Sequence, residues 1–440
     1  MAPSDRRRRV VITGMGVICP LGSALDALWQ GLAGGKSGVG PIAMFPTDAL
    51  PVKFAGEARQ FANDDISNFG ELDKAVQRSI RKGLKTICRE AQMGIAAAQL
   101  AMQHAELKPG GFDPERTGAV FGSDYMITLP DEFVDACRNC VGPSGKFEFA
   151  RWAQSGLPKL NPLWLLKYLP NMPAAHLSMY NDLRGPNNSI TEREASANLA
   201  VGEAARIIAR GHADTMITGA TGTWVHPYKT LQAIVQFEVA KEGEPARASR
   251  PFDRRRSGMV LGEGAAALVL EEASAAEARG AAIYGEVVGV AGSQVSDRDC
   301  HARTEAALTN VMAGAMRDAG LSPADIGHIH AHGDSTRAGD AAEAAAIRQV
   351  LADRADQVPV VAAKANFGNL GAGSGAVELI ASLLAFQHGE LFPVLNYETP
   401  DPACKLSIVR HRGTPPGDVF LNANVTAQGQ ASCLAVRRWA

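Results

Sequence analysis

Residues 96–124, AAAQLAMQHAELKPGGFDPERTGAVFGSD, contain an alanine-rich run, a turn rich in proline and glycine, and a short β-branched run. Residues 306–335, AALTNVMAGAMRDAGLSPADIGHIHAHGDS, repeat these three units in the same order. Alanine- and leucine-rich runs favour helices, whereas short β-branched runs bounded by turns favour strands. The repetition therefore indicates an α/β protein built from two related halves.

The rest of the chain continues the same alternation. Strands are predicted at 9–13, 118–121, 215–218, 265–270, 283–290, 326–330 and 358–362, and helices at 84–105, 197–210, 306–319 and 376–388. We place the boundary between an N-terminal half, 1–256, and a C-terminal half, 257–440, near residues 250–260. The hydrophobic residues of 131–165 follow neither a helical nor a strand spacing. We interpret this segment as a loop-rich surface insertion with short helical pieces.

Composition excludes several classes of protein. Hydrophobic residues make up 46% of the 440 residues and the net charge is −2, so no overall charge attracts nucleic acid or a membrane surface. No apolar run has the length of a membrane span, and the start of the chain lacks a secretory signal. We therefore expect a cytoplasmic protein with reduced thiols. The pair Cys137 and Cys140 has no further zinc ligands nearby, so no metal site is predicted.

Five long segments carry a resemblance to a known family. They are RRVVITGMGVICPLG (8–22), SRPFDRRRSGMVLGEGAAALVLEE (249–272), AHGDSTRAGDAAEA (331–344), AAKANFGNLGAGSGAVE (362–378) and VLNYETPDP (394–402). In this order they resemble the β-ketoacyl-acyl-carrier-protein synthases of the thiolase superfamily, synthase II type. The resemblance implies a thiolase-like αβαβα sandwich and a two-fold dimer. It also implies substrates carried on the phosphopantetheine arm of acyl-carrier protein, without a bound cofactor.

The position of the family's nucleophile can be counted without gaps. The family's motif runs from Gly-Pro through eight residues to a nucleophilic cysteine at a helix N-terminus, then twelve more to an arginine. Here the count from Gly185-Pro186 reaches Glu194, and twelve residues further lies Arg206. A carboxylate suits a helix N-terminus but is a poor acyl carrier, because acyl-glutamate is a reactive mixed anhydride. This divergent member is therefore not expected to condense in the usual way.

The other family positions are partly retained. The first catalytic histidine matches His332, the second is replaced by Asn369, and the family's buried lysine matches Lys364. Asn369 cannot titrate near neutral pH. Ala427 stands at the aromatic gate near the oxyanion region, and Glu343 matches a structural acidic residue. We expect Glu194 and His332 to lie close together, with the charged form of the histidine favoured.

A basic stretch precedes the first long alanine-rich helix. Its cationic residues follow at spacings of three and four and are predicted to share one side of a helix: Arg78, Arg81, Lys82, Lys85 and Arg89. The resemblance places carrier-protein docking in the region of Lys82 and Lys85. The alternative to docking is that these basic residues form an ordinary charged face in contact with solvent.

Three functional hypotheses remain open, and whether the protein is an enzyme is left undecided. The first is a non-condensing partner subunit, similar to the chain-length factors that pair with an active ketosynthase. The second is an acyl-thioester enzyme that uses Glu194 and His332 for hydrolysis or acyl transfer; decarboxylation is disfavoured because Glu194 would repel a malonyl carboxylate. The third is an acyl- or carrier-binding protein without catalysis.

A homodimer or a heterodimer is expected, with a strand at 187–191 on the two-fold axis and the apolar segment 160–178 nearby.

Overall fold

A computed structural model describes residues 8–108 and 110–439. Its strands are β1 (Val10–Ile18), β2 (Val39–Pro41), β3 (Phe54–Gly56), β4 (Thr117–Ser123), β5 (Asn187–Thr191), β6 (Thr215–Thr223), β7 (Glu263–Glu272), β8 (Gly285–Gln294), β9 (His328–His330), β10 (Pro359–Val361), β11 (Ser407–Ile408), β12 (Val419–Val425) and β13 (Gln430–Arg437). Its α-helices are α1 (Leu25–Ala33), α2 (Lys74–Gly83), α3 (Arg89–His104), α4 (Asp131–Asn139), α5 (Trp164–Lys167), α6 (Met172–Asn181), α7 (Ser196–Ala209), α8 (Pro227–Gln236), α9 (Pro245–Ala248), α10 (Ala273–Ala278), α11 (Thr304–Ala319), α12 (Arg337–Leu351), α13 (Lys364–Phe367) and α14 (Ser374–His388). All seven predicted strands and all four predicted helices are present.

The main sheet has two halves that meet along a short seam. Its strand order is β11-β10-β9-β12-β13-β8-β1-β7-β6-β4-β5, and β2 pairs separately with β3. Strands β1 and β8 share only the pairs Val11–Glu286 and Ile12–Gly285. Strand β7, which follows residue 257, pairs with β1 and β6 of the first half of the sheet. The division of the chain at 256/257 remains a prediction.

Alternating side chains on the strands bury both faces of each half. On β7, Ala266, Leu268 and Leu270 pack into the same core as α7 and α14, whereas Ala265, Ala267 and Val269 pack against α3. On β13, Leu434 and Val436 join the core with α7 and α14, whereas Cys433 and Ala435 pack with α11. Because neighbouring strand residues point to opposite faces, each half lies between two helical layers. This arrangement confirms the predicted αβαβα sandwich.

The predicted helix at 84–105 begins later than expected. Ile87 and Cys88 are extended, and α3 begins at Arg89 after a separate α2. The side-chain amide of Gln92 donates to the carbonyl oxygens of Leu84 (3.2 Å) and Ile87 (2.9 Å), which satisfies two acceptors in the break. The prediction of one continuous basic helix face is therefore wrong.

The predicted insertion and the lengths of the helices are also described by the structure. The segment 131–165 contains α4 and several short helical turns, with Phe149 75% exposed. No helix within the described part of the chain is both long and apolar enough to cross a bilayer.

Candidate active site

Glu194 lies in the tight turn Arg193–Ala195 that leads directly into α7. Arg193 adopts the left-handed conformation, with φ of 49°, which turns the chain sharply from β5 into the helix. Glu194 is only 5% exposed. Burial raises the pKa of its carboxyl, although its own backbone N–H and the charges of Arg193 and Lys364 oppose this. The N-terminus of α7 thus holds a buried carboxyl group whose protonated form is favoured by its burial.

His332 follows β9 and is kept neutral. Burial and the neighbouring Lys364 lower its pKa well below the usual range. The nearest carboxylate oxygen, on Asp334, lies 3.9 Å from His332 Nε2 and does not reverse this shift. The expectation that the charged histidine is favoured is therefore wrong, because the closest charge is a cation and the ring is desolvated.

Lys364 lies behind the histidine and orients it. Its Nζ lies 3.2 Å from His332 Nδ1 and donates to the His332 carbonyl oxygen at 2.8 Å. It also donates to Glu378 Oε1 at 2.5 Å, and Asn424 donates to the other Glu378 oxygen at 2.7 Å. Because an ammonium group is only a donor, Nδ1 accepts and Nε2 carries the proton toward the cavity. Glu343 supports the same loop by accepting the backbone N–H groups of His332 and Gly333.

Asn369 connects two carboxyl groups. Its Nδ2 lies 3.3 Å from Glu194 Oε1 and 3.0 Å from Asp334 Oδ1. Its Oδ1 accepts the Gly371 backbone N–H at 2.8 Å. Burial raises the pKa of Asp334 well above the usual range, and the nearby Glu194 adds to the shift. Sequence reasoning missed Asp334, whose signal was its place two residues after His332.

These groups line one cavity of about 280 Å³. Glu194, His332, Asp334, Asn369 and Ala427 all contribute to its wall. Lys364 does not line it but contacts His332, which does. Apolar and aromatic side chains also line it, among them Trp224, Phe237 and Met259. No cysteine is among the lining residues in the described part of the chain.

Potential metal ligands lie elsewhere. Within 8–108 and 110–439, one close group of such side chains is present, formed by Asp297, Asp299 and His301. None of these three lines the cavity with Glu194.

Four of the five basic residues lie on the surface and one does not. Arg78, Arg81, Lys82 and Lys85 are exposed. Arg89 instead forms an ion pair with Glu263 (2.7 Å), with its side chain 15% exposed, and donates to the carbonyl oxygens of Phe61 and Ala58. Including Arg89 in the docking face is therefore a wrong prediction, because the break before α3 turns this side chain inward.

Comparison with known proteins identifies a family match over most of the chain. The model of the β-ketoacyl synthase N-terminal domain matches residues 7–276, and that of the C-terminal domain matches residues 284–398. The 3-oxoacyl-(acyl-carrier-protein) synthase 2 of Synechocystis sp. is 33% identical over 413 residues, covering 92% of this chain and 91% of that protein. The protein of the same name from Coxiella burnetii is 34% identical over 407 residues, covering 92% of each chain.

Solved structures of similar proteins cover almost the whole chain. A β-ketoacyl synthase from Burkholderia phymatum has a TM-score of 0.83 at 26% identity, covering 98% of this chain and 100% of that one. The ishigamide ketosynthase/chain length factor has a TM-score of 0.81 at 26% identity, covering 99% and 100%. The sequence segments, the layered fold and these matches together make the chain a member of the β-ketoacyl synthase family.

Proposed function

We propose that this protein is a non-condensing partner subunit, similar to chain-length factors, that handles carrier-bound acyl chains in cytoplasmic fatty-acid or polyketide synthesis. The observation that carries the proposal is the buried carboxyl of Glu194 at the N-terminus of α7, where we infer that the family keeps its nucleophilic cysteine. A protonated or ionised carboxyl forms no stable acyl thioester. Asn369, in place of the second histidine, supplies no titratable group for decarboxylation.

A ketosynthase partner is supported by two surface features. Strand β5 forms the end of the main sheet and pairs only with β4, so one of its edges is open in the described chain. Within the segment 160–178, Leu163, Leu165 and Leu166 are each about half exposed. Open strand edges and clustered apolar side chains are costly in water. The structural neighbour described as a ketosynthase/chain length factor favours a heterodimer.

The assembly is tested by light scattering and copurification. We expect a dimer at micromolar concentration, with an interface above roughly 2,000 Å² as in permanent complexes. Replacing Leu165 and Leu166 by lysine should shift the protein toward monomer, whereas the same change at the exposed Leu157 should not. Copurification with a ketosynthase that has an intact Cys-His-His site supports the partner-subunit role. A stable wild-type monomer contradicts the proposal.

An acyl-thioester enzyme is the second candidate function. It is favoured by the common cavity of Glu194 and the neutral His332, since the Glu194 carboxyl can exchange a proton with a substrate while His332 Nε2–H can donate a hydrogen bond to a reacting oxygen. Hydrolysis or acyl transfer from acyl-carrier protein, abolished by both Glu194→Gln and His332→Asn, would support this function over the first.

Carrier protein is proposed to dock near Lys82 and Lys85, which are exposed and have no ion pair in the described chain. Reversing both charges to glutamate should weaken binding of acidic acyl-carrier protein by roughly tenfold at low salt, and less at high salt. Titration calorimetry measures the change. The matched control is Lys36→Glu/Lys108→Glu, which alters net charge equally at two other exposed lysines. Equal affinities of the two double variants would place docking elsewhere.

A further inference from the structure

Two polar atoms on the wall of the Glu194 cavity lie close together without bonding to each other. His332 Nε2, which carries the ring proton, is 3.9 Å from Asp334 Oδ2. Both residues line the cavity, and His332 is 7% exposed. Within the described chain neither atom has a hydrogen-bond partner. The separation is too long for a direct hydrogen bond, but one oxygen atom of a ligand can lie about 2.8 Å from both.

Asn369 determines which oxygen of Asp334 is free. The Oδ1 of Asn369 accepts the Gly371 backbone N–H at 2.8 Å and lies 3.3 Å from the Ser374 hydroxyl. The amide is therefore oriented with Nδ2 toward Asp334, and Nδ2 donates to Asp334 Oδ1 at 3.0 Å. Because this bond occupies Oδ1, a proton on the Asp334 carboxyl would lie on Oδ2, the oxygen next to His332.

The surroundings of Asp334 favour its protonated form. Burial raises the pKa of its carboxyl well above the usual range; the Lys364 ammonium opposes this shift, whereas the charges of Glu194 and Asp340 add to it. His332 contributes no charge, because it is neutral. A buried carboxyl that keeps its proton is able to donate a hydrogen bond to a carbonyl oxygen or to an oxyanion.

We propose that His332 Nε2–H and the O–H of the Asp334 carboxyl together form a two-donor site for the carbonyl oxygen of a ligand. In an acyl thioester this oxygen gains negative charge when the carbonyl carbon is attacked, and two fixed donors stabilise that charge. Asn369 stands at the position of the second family histidine, so this pair is not the histidine pair of the family. The identity of the ligand as an acyl thioester rests on the proposed function, whereas the binding of a carbonyl oxygen does not.

Titration calorimetry with two matched ligands tests the pair without requiring catalysis. N-(4-oxopentyl)acetamide carries a ketone where a thioester would be, and N-pentylacetamide lacks only the ketone oxygen. At about pH 5.5 we expect the ketone to bind about tenfold more tightly than the alkyl amide, since two buried donors gain an acceptor. This preference should fall as the pH rises to about 9.5, because Asp334 loses the donated proton above its raised pKa.

Three variants assign the pH dependence. Asp334→Asn keeps a donor next to His332 but cannot titrate, so the preference for the ketone should persist at about pH 9.5. Glu194→Gln should keep the pH dependence with its midpoint at lower pH, because a negative charge beside Asp334 is removed. Asp418→Asn, whose side chain is 86% exposed and does not line the cavity, should behave as the wild type.

The outcomes separate this inference from the proposed function. Equal binding of the two ligands at about pH 5.5, or the same pH dependence in the wild type and in Asp334→Asn, would overturn the donor pair. A preference for the ketone that behaves as expected, without any turnover of acyl-carrier protein, would support the donor pair and contradict only the acyl-thioester enzyme.

Discussion

Incubation with malonyl- and acyl-carrier protein is expected to leave the mass of the wild-type protein unchanged and to produce no 3-ketoacyl product. The buried carboxyl of Glu194 cannot hold an acyl group as a stable thioester. No cysteine lines its cavity in the described part of the chain. Intact-protein mass spectrometry measures the adduct, and product extraction measures condensation. An acyl adduct on any native cysteine would contradict the non-condensing role.

The variant Glu194→Cys should gain the mass of one acyl group. Its thiol would lie at the N-terminus of α7, where the helix dipole favours the thiolate. Condensation should still be absent, because Asn369 remains in place of the second histidine. Glu192→Cys is the matched control, since it places a thiol two residues away and outside the residues that line the cavity. Equal acylation of the two variants would show that labelling does not depend on the site.

Replacement of Lys364 by methionine should give the largest loss of stability. Lys364 is 1% exposed and Glu378 0%, and the change leaves the Glu378 carboxyl buried without its cation. Removing one partner of such a buried pair typically costs about 3–5 kcal/mol. We expect a melting temperature lower by about 5–10 °C in differential scanning calorimetry.

The control removes an exposed ion pair. Arg184→Ala breaks contacts to Asp182 and Glu115 in which all side chains are more than half exposed, and should change stability much less than Lys364→Met does. The double variant Lys364→Met/Glu378→Gln should recover part of the loss, because no buried charge remains. A change in Lys364→Met no larger than that in Arg184→Ala would mean that the buried pair contributes little to the fold.

The destabilisation by Lys364→Met should also depend on pH. Burial raises the pKa of Glu378 in the folded protein, and Lys364 opposes this shift in the wild type. Without Lys364, the folded state keeps the proton above the unfolded pKa of about 4.3, whereas the unfolded state releases it. The folded state then binds more protons, so stability falls as pH rises. The difference between variant and wild type should therefore be larger at pH 8 than at pH 5.

Much of the architecture followed from local patterns. Strands such as β6 and β7 were recognisable because β-branched and alanine-rich runs end at glycine and charged turns, and these signals need no distant contacts. The position of Glu194 at the start of α7 followed from counting along the chain, since a strand, a turn and a helix are contiguous in sequence. Edge strand β5 was predicted at the same residues as it is observed.

Other features depended on residues that are distant in sequence. The helix break before Arg89 follows the burial of Leu84 and Ile87, and Arg89 then pairs with Glu263, 174 positions away. Helical spacing alone predicted a surface position for Arg89. The Arg89 guanidinium is instead paired with the Glu263 carboxylate inside the fold.

The electrostatic state of the site was likewise decided by tertiary contacts. The sequence by itself determined the fold, the family and the presence of Glu194 and His332. Only the tertiary structure placed Asp334 beside Asn369 and brought Lys364 within 3.2 Å of the His332 ring. Charge on a buried histidine depends on its desolvation and on the nearest ions, and both come from segments that meet only after folding.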